Sequence, residues 1–236
     1  MNKKPAKKIR TLPEIATALG VLLSIVSIVS IGWHCYHFFQ GPESAMLPVS
    51  QILFYAKEYP DGHAYLHVAA RLSYINKGAP GYNDAIYKEF VTMRIEGTGY
   101  LLKWENFVDI SIMKERWDMN PLENAHPVTI EAGGSVSHMT SFIPQPCNRL
   151  DLPSDLKKND VFKETYCSGE WHNYLKWSDF CKILKKTEKV ILVFRAETVD
   201  GETLKKECAV KIAPGEINEE TEQRNLIVRS CCDEKA

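Results

Sequence analysis

The chain has 236 residues, 44% of them hydrophobic and 25% charged, which is room for one globular domain of ordinary size and not for several. The formal net charge of −1 hides a direction. Lys3, Lys4, Lys7, Lys8 and Arg10 crowd the first ten residues, and once they and Glu14 are set aside 24 bases face 29 acids, about −5. A domain of that sign is no partner for a phosphate backbone, which is held by clustered Lys and Arg, so nucleic-acid binding is excluded.

Residues 1–14 read as a basic cytoplasmic tail and residues 15–39 as a transmembrane signal anchor. From Ile15 to Phe39 there is no Asp, Glu, Lys or Arg, and a helix of that length reaches roughly 37 Å, enough to cross ~30 Å of hydrocarbon. Trp33, Tyr36, Phe38 and Phe39 cluster at its far end, where amphipathic rings settle at the headgroup level. Lys and Arg lie before the apolar run and are absent after it until Lys57, so the N terminus is expected in the cytoplasm and the rest outside, in a periplasmic or extracellular space. A cleaved signal peptide fits less well, because the run is long for one and Glu43 spoils the nearest cut, after Ala45. His34 directly before Cys35 argues against lipidation. Ala16, Gly20 and Ser24 recur every four residues, a stripe of small side chains through which two anchors can associate.

Residues 40–47 read as a linker, since Gly41 and Pro42 break the helix, and residues 48–214 as the domain. Val49 to Lys57 is the first strand-like run. Tyr65 to Ile75 alternates most clearly, with Leu66, Val68, Ala70, Leu72 and Tyr74 toward a core and His67, Arg71 and Ser73 away from it. Ile86 to Ile95 places Val91, Met93 and Ile95 together, and Tyr100 to Ile112 and Val128 to Thr140 follow, the last interrupted by Gly133-Gly134 at a bulge or turn. A helix is expected over Glu170 to Lys186, where Trp171, Tyr174, Leu175, Ser178 and Cys181 share helical spacing. Val190 to Thr198 and Leu204 to Ile212 flank Asp200-Gly201, a hairpin signal. Residues 215–236 read as a tail. Many short strands with one helix predict a mainly β fold, an antiparallel immunoglobulin-like β-sandwich behind the N-terminal transmembrane helix.

Beyond Cys35 there are six cysteines, Cys147, Cys167, Cys181, Cys208, Cys231 and Cys232, an even number suited to disulfides in an oxidising compartment. Chain order favours Cys147 with Cys167 and Cys181 with Cys208, leaving the adjacent pair to reach another chain or the rest of the domain. Their spacing fits no zinc motif. His63 and His67 are too far apart along a strand to share a metal, and His34 and His37 belong with the interfacial rings rather than with a haem or copper site. No cofactor is expected. Phosphate loops, nucleophile elbows and H-E-x-x-H are missing from the sequence, Gly133-Gly134-Ser135 being half an elbow in a strand context, and acids such as Asp151 and Asp155 lack calcium-loop spacing.

These features point to a membrane-anchored, non-catalytic module outside the cytoplasm that binds a protein partner or a ligand, or self-associates through the anchor. Two rivals stand beside it. An enzyme of unfamiliar type would draw on His126, His138, His172 and the acids of the Asn148 to Glu170 stretch, and a sensor or carrier would line an apolar site with Trp171, Tyr174 and Trp177.

Overall fold

The structure is a computed structural model that describes residues 12–96, 98–113, 116–144, 175–213, 215–219, 223 and 226–231. The chain divides into two compact units, residues 1–41 and 42–236. The first contains α1 (Leu12–Gln40), whose stretch Leu19–Tyr36 has a mean hydropathy of 1.7 with no residue buried. That is one helix long and apolar enough to span a membrane. Gly20, Ser24, Trp33 and Tyr36 are exposed along it, and Ala16, Phe38 and Phe39 belong to the same helix. Ser24 and Ser27 donate their hydroxyls to the carbonyls of Gly20 and Leu23, both at 2.9 Å. These bonds within the helix satisfy groups that would be costly to leave unpaired in hydrocarbon.

The second unit is mainly β. Its strands are β1 (Ser44–Met46), β2 (Ile52–Glu58), β3 (Ala64–Asn76), β4 (Asp84–Ile95), β5 (Thr98–Met113), β6 (Arg116–Asn124), β7 (Val128–Ile130), β8 (Ser135–Pro144), β9 (Lys189–Thr198), β10 (Thr203–Lys211) and β11 (Leu226–Arg229), with one short helix, α2 (Trp177–Leu184). All eleven strands join one antiparallel sheet, in the order β10-β9-β4-β5-β8-β3-β2-β11, with β1 beside β3, β6 beside β5 and β7 beside β4. Strands expected to divide between two sheets are thus continuous. Long strands with bulges explain this, because β5 pairs β4 through Thr98–Lys103, β8 through Leu102–Phe107 and β6 through Asn106–Met113, with register shifts at Trp104/Asn106 and Phe107/Val108. Bulges bend a strand and deepen its twist, so one sheet curls instead of splitting.

The curl brings the two ends of the strand path together. Cys208 on β10 and Cys231, two residues past β11, form a disulfide with Cα atoms 5.2 Å apart. Inside the curl lies the main core, with Ile52, Phe54, Leu66, Val68, Leu72, Tyr74, Val91, Met93, Leu192, Phe194 and Val210 among its members. Phe142 of β8 and Phe194 of β9 are not on paired strands, yet their ring centroids are 6.2 Å apart. The inward face of β3 is the one its alternation predicts. Asp200-Gly201 turns the β9–β10 hairpin with Gly201 at φ +83°, and Gly133 at φ +71° turns between β7 and β8, conformations that glycine adopts without steric cost.

Several sequence expectations need correction. Cys208 is bridged to Cys231, so the expected Cys181–Cys208 bridge does not form. Cys181 instead packs in the main core from the inner face of α2 with Trp177, Phe180 and Leu184. The helix is shorter than expected: Leu175 O accepts from Leu66 N at 2.8 Å and Lys176 bridges Tyr65, so this stretch extends along β3 and α2 starts only at Trp177. Residues 44–46 and 226–229, read as linker and tail, are β1 and β11, segments too short to carry a visible period. β6 went unnoticed because Pro121 demotes a run to non-strand, and Pro121 sits where the β5–β6 register shifts. Cys147, Cys167 and Cys232, with Trp171, His172, Tyr174, Asp151 and Asp155, lie outside the described residues.

Candidate functional site

Two histidine-centred polar clusters occupy opposite faces of the sheet. The inner one is built where β5 parts from β4. Phe90 is the first residue of β4 to pair with β5, and Glu89, one position earlier and on the face of Val91, Met93 and Ile95, is fully buried. Its carboxylate accepts from Tyr74 Oη at 2.6 Å and His138 Nε2 at 2.8 Å on Oε1, and from Thr140 Oγ1 at 2.8 Å on Oε2. The donors come from β3 and β8, where Leu72 pairs with His138 and Tyr74 with Val136. Three converging donors satisfy a group that would otherwise be very costly to bury. Burial and the adjacent Glu89 charge raise the Tyr74 pKa well above its usual value. The His138 ring rests on Phe107, centroids 4.7 Å apart, and its buried Nδ1 has no hydrogen-bond partner among the described residues.

The outer cluster is centred on His67, which the alternation of β3 assigns to the solvent side and which is nonetheless fully buried. The outer face carries its own small apolar group of Leu53, Ala69, Val108 and Met139, with Tyr55, Leu226 and Val228 against it. Tyr55 pairs with His67 across the ladder, and its hydroxyl lies 2.6 Å from Ser141 Oγ. Tyr59 Oη lies 3.0 Å from His67 Nε2, while Nδ1 has no hydrogen-bond partner among the described residues and is 4.0 Å from Glu105 Oε2, which also faces Lys57 Nζ at 3.4 Å.

Burial, and secondarily the Lys57 charge, lower the His67 pKa from 6.5 to about 3. Between those values the unfolded chain binds a proton that the folded chain refuses. Stability therefore falls as pH drops from about 6.5 toward 3, by up to about 1.4 kcal/mol per pH unit. In denaturant titrations across that range His67→Gln is expected to flatten this slope. A slope identical to wild type would show that His67 does not cause the acid lability.

Of the histidines nominated for acid–base work, His126 and His138 are described, whereas His172 and the acids of residues 148–170 lie outside the described residues. His126 is exposed on the strand-side loop, with Glu123 at 3.1 Å, and its pKa is raised by the Pro127 carbonyl and then by Glu123. It also meets Phe107, ring centroids 5.2 Å apart and nearly perpendicular. Trp177 is a core residue, stacked near Phe180 at 5.7 Å. Among the described residues no three His, Cys, Asp or Glu side chains gather as a metal site. Glu89 had a signal in the sequence: it stands two residues before Val91, at the apolar parity of its strand. His67 had none, because only tertiary cover on the second face buries it. No protein-family model matches the chain, and no curated protein is significantly similar to it.

Proposed function

We propose that the chain is a single-pass, membrane-anchored module with its N terminus in the cytoplasm and its β domain in a periplasmic or extracellular space, where it engages a protein partner without catalysis of its own. The observation that supports this most is the pairing of an apolar helix with a β unit stapled by Cys208–Cys231, because structural disulfides persist in oxidising compartments. The helix stripe of Ala16, Gly20 and Ser24 offers a route to self-association.

The polar clusters favour a scaffold over an active site. Glu89 is committed to Tyr74, His138 and Thr140 within the core, whereas a general acid or base needs reach to a substrate. The curled sheet, with Phe142 facing Phe194 across its interior, serves in this reading as a two-layer scaffold of immunoglobulin-like kind.

The test is crosslinking of the full chain in native membranes with identification of the attached species. A reproducible protein partner, or a second copy, is the expected result. Turnover of a substrate that is lost on His138→Ala, in protein that remains folded, would replace this reading with the enzymatic one.

A further inference from the structure

β11 is held less by its own contacts than by one covalent bond. It is four residues long, stands last in the strand path, and among the described strands pairs only β2, from Leu226 opposite Tyr55 to Arg229 opposite Ile52. Ile227 is its one buried side chain and reaches the main core. Leu226 and Val228 lie partly buried against the outer apolar group, and Arg229 forms an ion pair with Glu216. One buried isoleucine and a partly exposed ion pair contribute little beyond the entropy lost in ordering four residues. The Cys208–Cys231 bridge, which fixes the chain two residues past β11 to β10, therefore decides whether β11 stays docked.

The edge beneath it is of the opposite kind. Ile52, Leu53 and Phe54 of β2 are fully buried, the first and third in the main core and Leu53 in the outer group. Freed of β11, this stretch presents unpaired backbone groups between two apolar faces, a template that takes an extended strand. The alternation that fits it is that of β11 itself, with Ile227 to one face and Leu226 and Val228 to the other. Upstream, Ile217 is seated in the main core, and residues 218–225 are all polar or charged. A hinge of that composition brings no apolar group that favours a strand's own sheet over an identical one.

We propose that the β2 edge is a strand-exchange site, uncovered when the Cys208–Cys231 bridge is reduced and then occupied by β11 of a second copy of the chain. The reductant is a dithiol. One of its thiolates attacks Cys231, which is partly exposed where Cys208 is buried; the S–S bond breaks, and Cys208 leaves with the electron pair and takes up a proton. The second thiol then displaces Cys231 as a thiol and closes the reductant's own disulfide. Oxidised glutathione reseals the bridge and leaves as two thiols, and Cys208 joins whichever Cys231 the docked strand brings to it.

The test mixes equal amounts of full chain with natural and with heavy nitrogen in detergent micelles, both carrying Cys232→Ser so that the bridge is unambiguous. After reduction by dithiothreitol and resealing by oxidised glutathione, non-reducing proteolysis and mass spectrometry are expected to find Cys208–Cys231 peptide pairs of mixed isotope. Their share is expected to rise with protein concentration toward the half that random pairing gives, and to be nil in the same mixture never reduced. A second arm offers the reduced full chain a synthetic peptide of residues 225–231. It is expected to join Cys208 at several-fold lower concentration than the same peptide with Ile227→Asn, while far-UV circular dichroism of the reduced chain keeps its β signal. Bridges of single isotope alone after the cycle would overturn the proposal. So would equal capture of the two peptides, which is thiol exchange without strand docking, and so would loss of the β signal on reduction, which makes the bridge a support of the whole sheet rather than of β11.

Discussion

Replacing Glu89 with Ala is expected to cost the domain about 3–5 kcal/mol of unfolding free energy, because buried donors lose their acceptor and the core loses volume at once. The substitution removes a buried carboxylate and strands three buried donors, Tyr74 Oη, His138 Nε2 and Thr140 Oγ1, that have been drawn to it from β3 and β8. It also opens a void where β5 parts from β4, which adds a packing loss of the kind that follows any large-to-small core change. Glu89→Gln keeps the volume and one acceptor but turns an amide N–H₂ toward groups that donate, so it falls between wild type and Glu89→Ala. Denaturant titration of the full chain, followed by tryptophan emission, measures all three. A loss below about 1 kcal/mol for Glu89→Ala would mean that the cluster is not holding the strands together.

The double variant C208S/C231S is expected to lose roughly 3 kcal/mol, the chain-entropy value for a loop of this size, and about 6–12 °C in Tm. The 23-residue separation sets that loop, but position adds to its importance. The bridge ties β10 to the chain just beyond β11, the two ends of the strand path, so opening it frees the seam of the curl rather than a surface loop. Replacing both residues avoids leaving one reactive thiol. A reducing agent should lower the wild-type Tm by more than it lowers that of the double variant, which no longer has this bridge to lose. Equal melting of wild type and variant without reductant would show that the seam holds through packing and ladder bonds alone.

Much of this architecture was legible from periodicity. β2, β3, β4, β5 and the β9–β10 hairpin carry apolar runs bounded by turn residues, most clearly alternating in β3 and less regular in β5, and each lies within a few residues of its expected place. What escaped was what local pattern cannot encode. β1 and β11 are three- and four-residue segments whose strand character comes from neighbours β3 and β2, and tertiary context of that kind overrides propensity. The length of α2 failed for a related reason, since Leu175 fits a helical spacing but, with Lys176, is held along β3. The partner of Cys208 was hidden because sequence order does not reveal that a strand near residue 228 closes on the hairpin's edge. At the clusters, a glutamate at an apolar parity was visible in principle, whereas the burial of His67 required knowing that Tyr55 and Tyr59 pack against it on the outer face.

The most direct measurement for the whole account is the side of the membrane on which the β domain lies. With a tag fused after Ala236 and expressed in cells whose cytoplasmic membrane is sealed, protease added outside should remove the tag at once, while the basic N-terminal segment stays protected until the membrane is opened. A tag that resists until permeabilisation would place the domain in the cytoplasm and contradict the orientation.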